Sequence, residues 1–464
     1  VRAAALRPES TLLAVLGLGF LTLLVGGLVV LRLDPLIVLA LCIGAAILAM
    51  LTVEPLVSVH IIVALLYCET ALVNRQGVTA MSVVGPVILG TWVVNVFLRR
   101  QNPFRVGALG FALLAFVTWC SLSLFYAYDV TWTWMRFGTF VELSAFCLMC
   151  IAVLNDLKRI FTVCWAMVWW SGAACLYGQY AYATGIMPMV TGPGENRNHF
   201  ALFLVVSCIL AFLLSEQTER LWLRSVLRFV MLPLYLASIA MTFSRTGYIA
   251  LVVAWMCLAY RFTMARRIWP VIVMALGLGL VSPFLPDVFY ARFMSIVPAL
   301  AQERDEFGRQ SDTFAQRVNI WQQGLEMVEA HPVTGIGLGN FMTELIEVSR
   351  GKDLSKRIAA HSTYVGLAAE TGLVGLALYL SVVGLTIRSA RRAFQAGRRL
   401  RRFDVQCVGA MVEAGILVTM VWSISNSSDQ LKMVWLLFAL GNSVEAIASR
   451  MESAKPQPGD AAVA

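Results

Sequence analysis

Residues 200–214 read FALFLVVSCILAFLL, without a single charge. The chain then turns through Glu216 to Arg228, re-enters an apolar run at 226–243, reverses at Ser244-Arg245-Thr246-Gly247, and runs apolar again over 246–262. A helix that crosses a bilayer needs about 20 apolar residues. Successive runs near that length, with no alternation of apolar and polar positions, predict membrane-spanning helices rather than strands. Further runs fall outward on both sides, at 11–31, 35–53, 56–73, 78–98, 107–127, 138–154, 160–184, 268–284, 363–387, 405–425 and 431–448. Together these are fourteen candidate spans, with a turn at Glu54-Pro55.

Composition agrees. Of 464 residues, 59% are hydrophobic and 14% charged, and the mean hydropathy is +0.76. A soluble domain is nearer a quarter charged. This excludes a soluble enzyme, a disordered chain and a secreted disulfide scaffold. All ten cysteines lie in or beside apolar runs, so Cys147-Leu-Met-Cys150 is read as small residues packing between helices rather than as a redox or metal pair. The run 11–31, preceded by Arg2 and Arg7, reads as a first span and not as a cleaved leader.

The net charge of +9 is less informative than its placement. Lys and Arg collect in the cytoplasmic short loops of membrane proteins. With the N-terminus inside, that side collects Arg2, Arg7, Arg99, Arg100, Arg105, Lys158, Arg159, Arg220, Arg224, Arg228 and the arginine-rich stretch 388–402. The organisation expected is an all-α polytopic membrane protein with a transmembrane bundle over 1–284, a large outer loop over 285–362, three further spans over 363–448, and a cytoplasmic tail over 449–464. The stretch 388–402 is read as a positive-inside anchor, with lipid-headgroup contact as the alternative. Nothing points to nucleic acid.

The outer loop holds ten acidic and eight basic residues. Within it Phe314, Val318, Trp321, Leu325 and Val328 recur at helical spacing, between Arg317, Gln322, Gln323 and Glu329. That spacing predicts an amphipathic helix over 313–330, ended by Pro332 and followed by turns at Gly335, Gly337 and Gly339. A long loop with its own helix is usually functional.

Four stretches place polar groups where helices meet that loop. They are Gly192-Pro-Gly-Glu-Asn-Arg197-Asn198-His199, Ser244-Arg245-Thr246-Gly247, His331-Pro-Val-Thr-Gly335-Ile-Gly337-Leu-Gly339-Asn340-Phe341, and His361-Ser362 followed nine residues later by Gly372-Leu-Val-Gly375. Arg245 is either a snorkelling anchor or an anion ligand. His331 reads as a structural residue at a helix end, and His60 as a packed polar residue. His361 with Arg197 and Arg245 nearby offers a base-competent imidazole and two guanidinium groups, a set that suits a hydroxyl nucleophile and a diphosphate leaving group. No cluster in these stretches has metal-ligand spacing. Glu303, Asp305 and Glu306 come nearest and read as a solvated face.

Asn196-Arg-Asn-His-Phe-Ala, Ser244-Arg-Thr-Gly, Arg317 with Trp321, the His331–Phe341 stretch and His361-Ser-x9-Gly-x-x-Gly, taken in that order, resemble the O-antigen ligase and polymerase family of bacterial envelopes. The resemblance covers residues 190–375; before that only hydropathy matches, and the family is drawn with twelve spans against fourteen runs here. It implies a GT-C-type helical bundle of 12–14 spans in the inner membrane, with the active site on the periplasmic face. It further implies a metal-independent, inverting transfer without cofactor. The donor would be a glycan on undecaprenyl diphosphate. The acceptor would be a sugar hydroxyl on lipid A–core in a ligase, or a second lipid-linked repeat in a polymerase. By motif position His361 would be the general base and Arg197 and Arg245 the diphosphate ligands, with Asn198, His199, Arg317, Trp321 and Ser362 in support.

A transporter of lipid-linked sugars is the rival class. Glu69, Glu142, Glu370, Glu413 and Glu445 lie in or near spans, as transport carboxylates do, but the chain shows no internal repeat.

Overall fold

The computed structural model describes residues 54–67, 80–98, 107–193, 196–261, 314–342 and 359–454. The runs 11–31, 35–53 and 268–284, the acidic cluster at 303–306 and the end of the tail lie outside them. The described residues are helical and contain no strand. In chain order the helices are α1 Pro55–Leu66, α2 Ala80–Leu98, α3 Gly107–Leu122, α4 Val130–Val153, α5 Leu157–Ala183, α6 Arg197–Gln217, α7 Leu221–Val226, α8 Leu232–Met241, α9 Arg245–Arg261, α10 Phe314–Ala330, α11 Thr363–Arg399, α12 Phe403–Trp422 and α13 Lys432–Ser453. Among the described residues, seven helical segments are long and apolar enough to cross a membrane. The protein is an all-α polytopic membrane protein.

Local chemistry sets most of the helix starts. Asp129, Asp156 and Asn196 cap α4, α5 and α6, each side chain accepting from backbone N–H groups of the first turn. Pro55 opens α1, where its missing N–H costs nothing, and Glu54 caps it. The expected turn at Glu54-Pro55 is thus a helix start. Between α7 and α8 a π-turn over Leu227–Met231 precedes Pro233, the residue that cannot donate to the helical ladder.

α6 is the axis of the bundle, since nearly all its residues from Phe200 to Ser215 are buried. It packs on α12, α8 and α9, while α11 packs on α12, α13 and α3. Small residues permit the close approaches; a methyl group added at Gly409 would meet the Ala390 carbonyl oxygen at 2.7 Å. Cys147 and Cys150 are free and buried inside α4, as packing residues are.

Three expectations need correction. α4 begins at Val130, eight residues before the apolar run 138–154, because the Asp129 cap rather than hydropathy fixes its start. That places Arg136 inside a helix. α11 does not stop at 387 but continues through the arginine-rich stretch to Arg399, 37 residues in all. The part after the break at Gly372, residues 373–399, is roughly 40 Å long at 1.5 Å per residue, beyond a hydrocarbon core of about 30 Å. The loop helix is present as α10, but its buried face is turned. Ile320, Gly324 and Met327 are buried, whereas Leu325 is exposed. Gly324 decides this, because only a bare Cα fits against Val365 and Phe341.

The intramembrane carboxylates are largely matched by arginines. Glu413, buried in α12, pairs with both Arg261 and Arg391, the latter at 2.6 Å. Glu445 pairs with Arg392 at 3.1 Å and Glu452 with Arg399 at 2.8 Å. Of the five carboxylates that suggested transport, Glu413 and Glu445, and also Glu370 with Arg136, are thus paired between helices, while Glu69 lies outside the described residues.

Candidate active site

Three helix N-termini meet at one end of the bundle. α6 and α9 start side by side, since the Ser244 hydroxyl donates to Asn198 Oδ1 at 2.7 Å. Gly247 makes this possible: a Cβ there would meet the Ala201 Cβ at 2.7 Å. Ser244 also caps α9, accepting from Gly247 N at 3.2 Å. Each of these helices has an arginine as its first residue, Arg197 on α6 and Arg245 on α9, and neither has an acidic residue in its first turn. A helix N-terminus already carries about half a positive charge, so arginine there is electrostatically unfavourable unless an anion is the intended neighbour. Arg197 Nη1 lies 3.8 Å from Met189 Sδ, and both arginines are partly exposed.

The third N-terminus is that of α11, which carries His361 just ahead of it. Ser362 is its cap, with Oγ accepting from Val365 N at 3.4 Å. His361 has φ +47°, a left-handed conformation uncommon for a residue with a side chain. Two flanking contacts hold it there. Trp321 Nε1 of α10 donates to the Ala360 carbonyl at 3.1 Å. On the other side Thr363 is tied to the turn that follows α12, its N–H donating to the carbonyls of Ser423 and Asn426, each at 3.1 Å.

That turn, residues 423–429, is the part of the site the sequence did not reveal. The Ser425 carbonyl accepts from Arg317 Nη1 at 2.9 Å. Asn426 Nδ2 donates to Thr246 Oγ1 at 3.3 Å, which links α9 to the same turn. Just before it, the Trp422 ring lies 5.4 Å from the ring of His199. At its far end Asp429 accepts from Arg136 Nη2 at 2.9 Å, while Arg136 Nε sits 3.2 Å from Glu370. Both carboxylates are buried. The fold therefore brings Asn198, His199, Arg317, Trp321, His361 and Ser362 around one turn, with Arg197 and Arg245 at the adjoining helix starts.

The stretch 331–341 has another place. Its backbone pairs with that of α11, with Ile336 N donating to Ala369 O at 2.9 Å and Leu373 N to Pro332 O at 2.9 Å. Asn340 joins it to α4, accepting from Asp129 N and donating to Thr133 Oγ1, both at 2.8 Å. Tyr126 donates to the Thr334 carbonyl at 2.6 Å. His331 is exposed at the end of α10. This stretch braces α11 where it breaks. Gly372 has φ +70° and ψ 177°, a region open essentially to glycine alone, and a Cβ there would run into the Val333 carbonyl.

Among the described residues no three of His, Cys, Asp and Glu come together as metal ligands would. No curated protein matches the chain in sequence. Residues 229–380 match the family model described as O-antigen ligase. The match takes in Ser244–Gly247, α10, the brace at 331–341 and His361–Gly375, and leaves Arg197–His199 and the 423–429 turn outside it. Over residues 229–380, about a third of the chain, where His361, Arg245 and the loop helix lie, this membrane protein is similar to the O-antigen ligase family.

Proposed function

We propose that the protein transfers a glycan from undecaprenyl diphosphate to a sugar hydroxyl, ligating O-antigen to lipid A–core at the periplasmic face of the bacterial inner membrane. The observation that carries this reading is the pairing of α6 and α9. Two adjacent helix N-termini, each opened by an arginine, make a site for a dianionic group, and a base-competent His361 stands at the start of the third.

The chemistry follows. A sugar hydroxyl is a weak nucleophile near neutral pH. His361 accepts its proton as the oxygen attacks C1 of the donor sugar, with inversion at that carbon. As the C1–O bond breaks, the diphosphate gains charge. Arg197, Arg245 and the two helix N-termini stabilise that charge more in the transition state than in the ground state. Asn198 and Ser244 hold the two helix starts in register, Arg317 and Trp321 fix α10 over the site, and His199 with Trp422 offers an aromatic wall for a sugar ring. The guanidinium groups supply the electrostatic work, so the reaction needs no divalent metal.

Polymerisation of lipid-linked repeats by the same site is the second reading, since the resemblance to the ligase and polymerase family implies either acceptor. Purified protein given undecaprenyl-diphosphate-linked glycan in EDTA, with lipid A–core as acceptor, tests the proposal. Product on lipid A–core is expected. Chain extension without lipid A–core would make it a polymerase, and activity restored only by Mg²⁺ or Mn²⁺ would sink the metal-independent mechanism.

A further inference from the structure

Ser362 follows the histidine in the signature, but its hydroxyl only caps α11. Thr363 does more. It is 1% exposed and sits two residues from His361. Its hydroxyl accepts from Ser428 N at 2.8 Å, donates to the Asn426 carbonyl at 3.1 Å and lies 3.2 Å from Ser428 Oγ. Its N–H is shared by the carbonyls of Ser423 and Asn426. Thr363 thus fastens the start of α11 to the same short turn that receives Arg317, contacts Thr246 of α9 and ends on Asp429.

We infer that Thr363 is a positioning residue for the reaction, locking the left-handed His361 in register with the arginine-bearing helix N-termini. A left-handed histidine is not a conformation its own backbone favours, so something must hold it. The Trp321 bond fixes the Ala360 side. The Thr363 hydroxyl is the one side-chain group among the described residues that fixes the other side to the turn. Without it, Ser428 N loses its acceptor in a buried place, and the turn shifts against α11 about the bonds that remain, those of the Thr363 N–H and of the Tyr364 hydroxyl to the Met420 carbonyl. The imidazole would then drift from the hydroxyl it deprotonates, while the diphosphate ligands on α6 and α9 stay where they are.

This inference rests on the glycan-transfer reading with His361 as base, and the test separates the two. Thr363→Val keeps the shape and removes the hydroxyl; Thr363→Ser keeps the hydroxyl. Thr386→Val removes a buried hydroxyl farther along α11, where it bonds only within its own helix. The full-length protein is assayed with undecaprenyl-diphosphate-linked glycan and lipid A–core, and rates are expressed per folded molecule. T363V is expected to lose kcat by about 10–100-fold, the effect of roughly an ångström of misplacement, with KM for the donor nearly unchanged. T363S restores most of the rate, and T386V keeps it. Should T363V fail to fold, Thr363→Ala, which leaves room for a water, takes its place. Wild-type kcat in the hydroxyl-less variant, or a loss in T363S as deep as in T363V, overturns the positioning role even if His361→Ala is inactive. Full activity in His361→Ala removes the base itself, and the role of Thr363 with it.

Discussion

The hydroxyl of Ser244 donates to Oδ1 of Asn198 across 2.7 Å, joining the first turns of two helices that are far apart in sequence. The bond does two jobs, because the same oxygen accepts from Gly247 N to cap α9. Ser244→Ala removes both. An N-cap lost to alanine costs about 1 kcal/mol. The variant is expected to unfold at slightly lower temperature in detergent and to lose transfer activity well beyond what that stability loss explains. Thermal unfolding and glycan transfer measured on one preparation separate the two effects.

Arg197→Lys and Arg245→Lys are expected to insert and express normally and to lose most activity. An ammonium carries the charge but not the planar fork that binds a diphosphate at two points. Near-normal transfer by both variants would leave these residues as membrane anchors.

The left-handed backbone at His361 separates stability from activity. His361→Gly relieves the strain, so this variant is expected to be at least as stable as wild type and more stable than His361→Ala, by up to about 1 kcal/mol. Both lose transfer by 10²–10⁴-fold, roughly the contribution of a general base. Melting temperatures that rank Ala above Gly would contradict the strain argument.

Gly372 and Gly384 lie on the same helix and meet different surroundings. A Cβ at Gly372 strikes the Val333 carbonyl in a backbone region alanine avoids, whereas nothing lies within 4 Å of one at Gly384. Gly372→Ala is expected to reduce the yield of folded protein sharply, and Gly384→Ala to leave it unchanged. Size-exclusion profiles after detergent extraction give the comparison directly.

Arg136 holds two buried carboxylates. Arg136→Met strands Glu370 and Asp429 without their counter-charge, at a cost of about 3–5 kcal/mol. Adding Glu370→Gln and Asp429→Asn to the same chain is expected to recover much of the lost stability. If the triple variant is no more stable than Arg136→Met, the cluster is not what holds α4, α11 and the 423–429 turn together.

Hydropathy made the spans legible, because a run such as 200–214 has no other use for so many apolar residues. It failed where a cap overrides it. Val130–Phe137 carries Thr, Trp and Arg and reads as a loop, yet Asp129 starts a helix there and brings Arg136 to Glu370. The loop helix was legible from its spacing, but its face was not. Leu325 is as apolar as Ile320, and what chooses between them is Gly324 against Val365. In the candidate site, the residues with distinctive chemistry announced themselves: His361, Arg245, Arg317. The turn after α12 did not. Ser423-Ile-Ser-Asn-Ser-Ser428 looks like a linker, and its main contributions come from carbonyl oxygens at 423, 425 and 426, groups that every residue possesses.

That turn also sets when the site comes into being. Every residue proposed to hold the diphosphate or move the proton, Arg197, Arg245 and His361, leaves the ribosome before residue 423 does. A nascent chain stalled after α11 would carry the whole set in the bilayer, with Thr363 and Arg317 still lacking their acceptors. Only when α12 and α13 have inserted does the turn between them arrive and close the site. Assembly of the candidate site is therefore a late event in biogenesis, and a lesion confined to the last hairpin acts on a histidine encoded some sixty codons earlier.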